Sequence, residues 1–296
     1  QSDQALTTAK VLAGQFPQAV PVQLALAQAY MATGDLSMAR SVLQEAGRFA
    51  GADVGYLITI GRTQLTAGHL DGANYSVSKA LQAAPNDLGA LVLQVEVAAR
   101  RGQPKEVDTA LAALVAKHPG KVPTLMTTGH VAFSRQQMPQ AVTAYRTAFE
   151  REPVAPIALT LAQAYIGNRE ADKALALLDG WIKKNPKDLV IMRALGEVQS
   201  LLGRNDEARK SYGAVIAASP QDASALNSYA QLLYRIKDPE AIRMAEKAMK
   251  LAPNQAAYAD TYGWLLAERG DLENGVRVLR EARLREPGNG QIRWHL

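Results

Sequence analysis

Residues 189–222 read LVIMRALGEVQSLLGRNDEARKSYGAVIAASPQD, and this segment is one unit of a pattern that recurs along the chain. Its proline, Pro220, recurs along the chain at intervals of 33 or 34 residues, at Pro85, Pro119, Pro153, Pro186, Pro253 and Pro287. Pro17 lies 68 residues before Pro85, which is twice 34. A constant period of this length over most of a chain is the signature of a repeat protein.

Alignment on these prolines, with the proline at position 32, gives eight complete repeats. In chain order, repeats 1 to 8 span 20–53, 54–87, 88–121, 122–154, 155–188, 189–222, 223–255 and 256–289. Residues 1–19 then correspond to the second helix of a truncated repeat, and residues 290–296 to the start of a further truncated helix. Because the chain begins and ends inside repeats, we expect it to be a piece of a longer array.

Each repeat has the pattern of two helices joined by a turn. Small residues recur at position 8, as at Gly196, and at position 20, as at Ala208, whereas position 24 is usually large, as at Tyr212. Small residues let neighbouring helices approach closely, and apolar residues at three- and four-residue steps are typical of helices. Glycines that can close a helix stand between the halves at Gly34, Gly68, Gly102, Gly203 and Gly270. The pattern predicts an all-α solenoid of stacked antiparallel helix pairs, continuous along the chain.

This repeat resembles the tetratricopeptide repeat, with which it shares a small residue at position 8, Ala at 20, an aromatic residue or Leu at 24, Ala at 27 and Pro at 32. The resemblance implies a right-handed superhelix whose first helices line a concave groove. Three departures are local. Gly51 replaces the proline of repeat 1, Trp181 is large for position 27, and repeat 7 lacks a residue near Lys237-Asp238-Pro239.

Composition narrows the classes of function. The chain is 48% hydrophobic but only 6% aromatic, as close-packed helices require. Its net charge of +5 comes from Lys and Arg interspersed with Asp and Glu, so we predict no nucleic-acid partner. No run of eighteen apolar residues predicts a membrane span, and the absence of cysteine excludes disulfides and thiolate metal sites.

The sequence offers no assembled catalytic or metal site. None of the four histidines, His69, His118, His130 and His295, has a carboxylate or a second histidine at the three- or four-residue spacing that zinc enzymes use. A Gly-x-Ser-x-Gly elbow is also missing. We therefore expect no catalytic residue, no cofactor and no metal, and the chain is predicted not to be an enzyme.

Binding is the remaining function, and the family resemblance implies that positions 2, 5, 9, 12 and 13 face the groove. We expect the ligand site in the C-terminal half, where amide, guanidinium and aromatic groups occur together, at Arg193, Asn227, Gln231, Tyr234, Arg235, Asp260, Trp264 and Trp294. A secondary set comprises Arg62, Glu96, Arg100 and His130. Each of these residues also has a structural interpretation, such as an ion pair between Glu96 and Arg100.

A finer resemblance concerns the last repeats. Two segments resemble the C-terminal part of the tetratricopeptide lipoproteins that accompany bacterial PEP-CTERM/exosortase systems. They are Tyr258-Ala-Asp-Thr-Tyr-Gly-Trp-Leu-Leu266 and Ile292-Arg-Trp-His-Leu296. This resemblance implies an exported scaffold, periplasmic or anchored to the outer membrane, that binds a protein or peptide, or alternatively a polysaccharide.

Other interpretations stay open. They are a periplasmic scaffold for cellulose or alginate export, a structural spacer, and an accessory module of a larger enzyme. Helices that lack a stacking partner at either end would also favour self-association.

Overall fold

The structure, a computed structural model, describes residues 2–296, which form eighteen α-helices and no strand. In chain order the helices are α1 Ser2–Gln15, α2 Val20–Ala32, α3 Leu36–Phe49, α4 Val54–Thr66, α5 Leu70–Ala83, α6 Leu88–Arg100, α7 Pro104–Lys117, α8 Val122–Ser134, α9 Met138–Arg151, α10 Ala155–Gly167, α11 Ala171–Lys184, α12 Leu189–Leu201, α13 Asn205–Ala218, α14 Ala223–Arg235, α15 Ala241–Leu251, α16 Ala256–Glu268, α17 Leu272–Arg285 and α18 Gly290–His295.

The helices pack as adjacent pairs, which confirms the predicted all-α fold class. In each pair a first helix of 13 residues is followed by a second helix of 14 residues, as in α12 and α13. The exception is α15, which has only 11 residues and follows the turn that contains Pro239. The residue missing from repeat 7 therefore shortens the start of its second helix.

Left-handed backbone closes the first helix of each complete repeat. The five turn glycines predicted from the sequence all have positive φ, between 68° and 91°. In the three repeats without a glycine there, Gln136, Arg169 and Lys237 take the same conformation, with φ of 59° to 61°. The turn is thus a property of the repeat and not of the glycine alone.

Carboxylate caps begin many of the first helices. Asp53, Asp87, Asp188 and Asp222 each accept a hydrogen bond from the backbone N–H three residues later, at 2.9 to 3.1 Å. Such caps satisfy amide groups that the first turn leaves unpaired. Asp188 also accepts a bond of 2.9 Å from the indole N–H of Trp181, so the large residue at position 27 contributes to the capping of the next repeat.

Small residues sit where helices cross. A Cβ added to Gly129 would collide with the ring of Tyr145, and one added to Gly61 would lie 2.8 Å from Leu93 Cδ2. At position 20, Ala141 and Ala208 are fully buried. These contacts explain why positions 8 and 20 stay small while position 24 is large.

The described chain separates into two compact bodies. The N-terminal body ends at Glu152, and the C-terminal body comprises Pro153–Leu296. Each has its own buried core, built around Leu43, Leu57 and Ile60 in the first and around Leu233, Ala245 and Leu265 in the second. Residue 1, part of the truncated repeat predicted over 1–19, lies outside the described residues. No helix within residues 2–296 has both the length and the apolar character that a membrane crossing requires.

Candidate binding grooves

The first helices α4, α6 and α8 line a groove of about 500 Å³ in the N-terminal body. Leu65, Val95 and Val131 form apolar parts of its wall, and Glu96, Arg100, Thr127, His130 and Ser134 supply polar groups. Positions 9 and 13 of a 13-residue helix lie one turn apart on one face, so Glu96 and Arg100 share the groove side of α6. Three of the four secondary candidates, Glu96, Arg100 and His130, are therefore brought together.

Glu96 lies in an unusual electrostatic setting. Burial raises the pKa of its carboxyl group, and the charge of Arg62 on α4 acts in the opposite direction. In the described chain no Lys or Arg nitrogen approaches the Glu96 carboxylate within ion-pair distance, so the predicted pair with Arg100 is not formed. The groove thus contains a partly desolvated carboxylate without a salt-bridge partner.

His130 stands across the groove from Glu96, on α8. Its ring contacts the ring of Tyr145 edge-on, with the centroids 5.5 Å apart. Burial lowers the pKa of His130, although the residue is still exposed at the groove. A neutral imidazole can offer one donor and one acceptor to a ligand.

The candidates in the C-terminal body are mostly occupied by partners within that body. Arg193 donates to Glu197 at 3.0 Å, Gln231 to the Thr261 hydroxyl at 3.3 Å, and Tyr234 to Glu268 at 2.7 Å. Arg235 donates to the Ser200 carbonyl at 3.0 Å and also contacts the Ser200 hydroxyl. The bond from Arg193 lies within α12, and the others join neighbouring first helices; all of them satisfy groups that were predicted to face a ligand.

Asp260 is the most buried of these candidates, at 2% exposure. Its Oδ1 atom lies 2.8 Å from Nδ1 of His295 on α18. The His295 ring stacks on Trp264 at 4.5 Å between centroids, and Trp294 lies 5.5 Å from Trp264. Trp294 itself remains 74% exposed. Asp260 is therefore hydrogen-bonded to His295, whose ring belongs to an aromatic cluster with Trp264 and Trp294.

Asn227 differs from its neighbours because its Oδ1 atom is buried without a hydrogen-bond partner, in a residue that is 8% exposed. It lies at position 5 of α14, next to Leu226 in the core. Among the C-terminal candidates, Asn227 and the exposed Trp294 are those with unused binding capacity.

Sequence reasoning missed the partners His295, Ser200 and Thr261, which lie 30 to 35 residues from the groups they contact. These separations are close to one repeat, so a search at nearby positions of the neighbouring repeats would have been the signal for such pairs. Among residues 2–296, no group of three His, Cys, Asp or Glu side chains is arranged to hold a metal ion.

Comparison with known proteins identifies the repeat. The model of the family described as tetratricopeptide repeat matches residues 126–188, 159–223 and 193–256. A TPR repeat-containing protein of Pseudomonas aeruginosa is 33% identical over 144 residues, which is 46% of this chain and 23% of that protein. The chain thus spans less than a quarter of the length of this curated relative.

Solved structures extend the likeness of the fold. A tetratricopeptide repeat protein from Parabacteroides merdae has a TM-score of 0.58 at 17% identity, over 82% of this chain and 97% of that one. Yeast Tom70 has a TM-score of 0.62 at 16% identity, over 95% of this chain and 54% of Tom70. The pilF protein of Pseudomonas aeruginosa has a TM-score of 0.55 at 17% identity, over 70% of this chain and 96% of that one. At this level of identity the likeness concerns the fold alone.

Proposed function

We propose that this chain, whose residues 126–256 match the tetratricopeptide repeat family, is a non-enzymatic interaction scaffold that holds an extended peptide in the groove of its N-terminal body. The observation that carries the proposal is the Glu96 carboxylate, which is partly desolvated and has no salt-bridge partner in the described chain. A Lys or Arg side chain of the peptide supplies the missing counter-charge. The apolar wall formed by Leu65, Val95 and Val131 accepts a neighbouring apolar side chain.

Several features of the groove favour a peptide over a compact ligand. Its volume of about 500 Å³ is lined by three successive first helices, and its polar groups lie on two of them, α6 and α8. His130 and Ser134 stand one turn apart on α8, where they can hydrogen-bond peptide backbone groups. Arg100 lies one turn beyond Glu96 and suits an acidic side chain or the peptide C-terminus. The preferred peptide thus carries a basic residue, an apolar residue and an acidic group.

The C-terminal candidates form the less favourable site because most of them are already hydrogen-bonded to other residues of that body. A ligand there would have to replace the bonds from Tyr234 to Glu268 and from Arg235 to Ser200. Exchanging an internal hydrogen bond for one to a ligand yields little net free energy.

The test is an array of random decapeptides probed with the labelled full chain, followed by titration calorimetry on the best binders. We expect bound peptides to be enriched in Lys or Arg. The variant Glu96→Gln should bind them about tenfold or more weakly, as expected for loss of a hydrogen bond to a charged group. The matched control, Glu106→Gln, removes an exposed carboxylate from α7 of the same repeat and should bind like the unchanged chain.

Equal affinity of Glu96→Gln and the unchanged chain would reject the groove as the site. An array without any basic preference would reject the proposed partner chemistry.

The same proposal places this scaffold in the bacterial envelope, linked to exopolysaccharide export or protein sorting. Its support is the resemblance of Tyr258–Leu266 and Ile292–Leu296 to the envelope lipoproteins described above. Fractionation of cells that express the complete gene is the test, with expected recovery in the periplasmic or outer-membrane fraction. Recovery only in the cytoplasmic fraction would contradict this part of the proposal and leave the peptide site untouched.

A further inference from the structure

A second cavity of the N-terminal body lies between the second helices α3 and α5, away from the groove of first helices. It has a volume of about 420 Å³, and its wall includes Leu43, Gln64, His69, Tyr75 and Lys79. Its size is that of a small-molecule pocket. None of its lining residues belongs to the groove proposed for the peptide.

Two glycines line the cavity. Gly47 stands at position 28, where the other repeats carry larger side chains, namely Leu81, Val115, Phe149, Ile182, Ile216, Met249 and Arg283. A Cβ added to Gly47 would meet nothing within 4 Å, so close helix packing does not require this glycine. A glycine within a helix costs up to about 1 kcal/mol relative to alanine. Gly47 therefore lowers helix stability without a packing reason. The absence of a side chain there leaves space in the cavity.

The second glycine, Gly72, stands at position 19, where its counterparts carry side chains, as at Met38, Glu106, Gln140, Lys173, Glu207 and Asn274. A Cβ at Gly72 would lie 2.6 Å from the His69 ring and 2.9 Å from Gln64 Nε2. The His69 ring thus occupies the space that a side chain at position 19 would take. Repeat 6 has the same buried Gln–Ser pair, Gln199 with Ser211, but carries Glu207 where repeat 2 has Gly72.

The charge of the cavity wall is one-sided. Arg48 and Lys79 line it, and no carboxylate does. Arg48 is paired with Glu45 at 2.7 Å, whereas no Asp or Glu oxygen of the described chain lies within ion-pair distance of Lys79. The Lys79 ammonium lies 3.5 Å from the Gly47 carbonyl and 5.8 Å from the centre of the Tyr75 ring. Lys79 is therefore the cation of the wall that has no carboxylate partner in the described chain.

The remaining wall is suited to the carbon skeleton of a ligand. The Tyr75 ring, 64% exposed beside Lys79, is the accessible apolar surface of the wall, whereas Leu43 is fully buried. The amide of Gln44 and the hydroxyl of Ser76 add polar groups, although Ser76 already donates to Gln64 at 2.8 Å. A single cation next to an aromatic face matches a monoanion with an apolar body better than a phosphate, which commonly requires several cations or a helix N-terminus.

His69 is the part of the wall that is free to adjust. Its Nδ1 atom is buried without a hydrogen-bond partner. Burial and the charge of Arg40 lower the pKa of His69, so the ring is neutral near pH 7. A neutral ring that no hydrogen bond holds at Nδ1 can turn when a ligand enters, and it can then donate or accept.

We propose that this cavity is a binding site for a small monocarboxylate with an aromatic or aliphatic body, held by Lys79 at the carboxylate and by the Tyr75 ring at the body. Such a carboxylate has two sources, a free acid or the C-terminus of a short peptide. Both present the same group to Lys79.

The experiment titrates the full chain with two probes, benzoate and the tripeptide Ala-Ala-Phe, and with their amides, benzamide and Ala-Ala-Phe-amide, followed by NMR shift changes and calorimetry. We expect at least one acid to bind and its amide to bind about tenfold more weakly, because the amide lacks the charge. Binding of benzoate alone identifies a free-acid site, and binding of the tripeptide alone identifies a peptide C-terminus.

Three variants locate the site. Gly47→Leu places in the cavity the side chain that repeat 2 carries at the same position, and it should abolish binding. Lys79→Met should weaken binding about tenfold. Gly213→Leu is the control, because Gly213 is another helical glycine with nothing within 4 Å of an added Cβ, and it should bind like the unchanged chain.

If neither acid binds the unchanged chain, the proposal is wrong. It is equally wrong if both Gly47→Leu and Lys79→Met bind as the unchanged chain does. Circular dichroism checks that Gly47→Leu is folded, and if it is not, Lys79→Met decides.

Discussion

At the scale of single residues, Asp260 shows that a contact between neighbouring repeats can form a buried polar pair that no short sequence pattern reveals. The carboxylate lies in the core face of α16, and its bonded partner His295 comes from α18, 35 residues later. Burial raises the pKa of Asp260, and the contact with His295 partly offsets that rise. The pair is therefore a buried interaction whose loss leaves one charge without compensation.

We predict that His295→Ala destabilises the protein by about 3–5 kcal/mol near pH 7. Without His295 the pKa of Asp260 rises further, so the folded state binds a proton more readily than the unfolded state does. The stability of the variant should consequently fall as the pH rises from the ordinary pKa of an aspartate through the raised pKa of Asp260. Urea unfolding at several pH values measures this effect.

The double variant Asp260→Asn/His295→Ala is the matched control for that experiment. It removes the buried charge and should recover much of the lost stability near neutral pH. A loss in His295→Ala that is the same at every pH would show that Asp260 is not its cause.

At the scale of the helical hairpin, the turn at position 15 is the most informative element. Five repeats have glycine there and three have Gln136, Arg169 or Lys237, yet all eight residues have positive φ. A side chain costs about 1–2 kcal/mol in this backbone region because Cβ approaches the following carbonyl. The three non-glycine turns are thus held by the helices on either side.

We predict that Arg169→Gly raises the free energy of unfolding by roughly 1 kcal/mol. The reverse change in repeat 6, Gly203→Ala, should lower it by a similar amount. Thermal or chemical unfolding of the full chain measures both variants.

A glycine placed elsewhere in the same repeat gives the control. Ala176→Gly lies on an exposed face of α11 and should cost about 1 kcal/mol. A destabilised Arg169→Gly would mean that the arginine side chain makes a contact that outweighs its backbone cost.

The hairpin was predictable from sequence because its signals are local. The stop at Pro220, the turn at Gly203 and the small residue at Gly196 all act within one repeat. The candidate site was predictable only in part, since helix positions indicate which face a side chain occupies but not its partner. Arg235 and Gln231 lie on the expected helix, yet their rotamers are fixed by Ser200 and Thr261 in neighbouring repeats.

At the scale of the whole molecule, two compact bodies each contain their own core. In repeat proteins most stabilising contacts join neighbouring repeats, so a piece of several repeats retains nearly all of its own contacts. The stability of the fold is therefore approximately a sum of contributions from single repeats and from contacts between neighbouring repeats.

We predict that fragments 1–152 and 153–296 each fold when produced alone. Each should give an α-helical circular dichroism spectrum and a cooperative unfolding transition. A fragment that is unfolded in isolation would show that its core depends on the other half of the chain.

The Gln–Ser pairs of repeats 2 and 6 have a consequence for errors in assembly. Gln64 bonds Ser76, and Gln199 bonds Ser211, each pair joining the two helices of one hairpin. Hairpins of similar sequence can exchange helices between two copies or between two repeats. If α4 paired with α3 instead of α5, Gln64 would face Val42 at the equivalent position, and its buried amide would lose its bond. These two pairs therefore disfavour pairing with the wrong helix, because such pairing leaves a buried glutamine amide without its hydrogen bond.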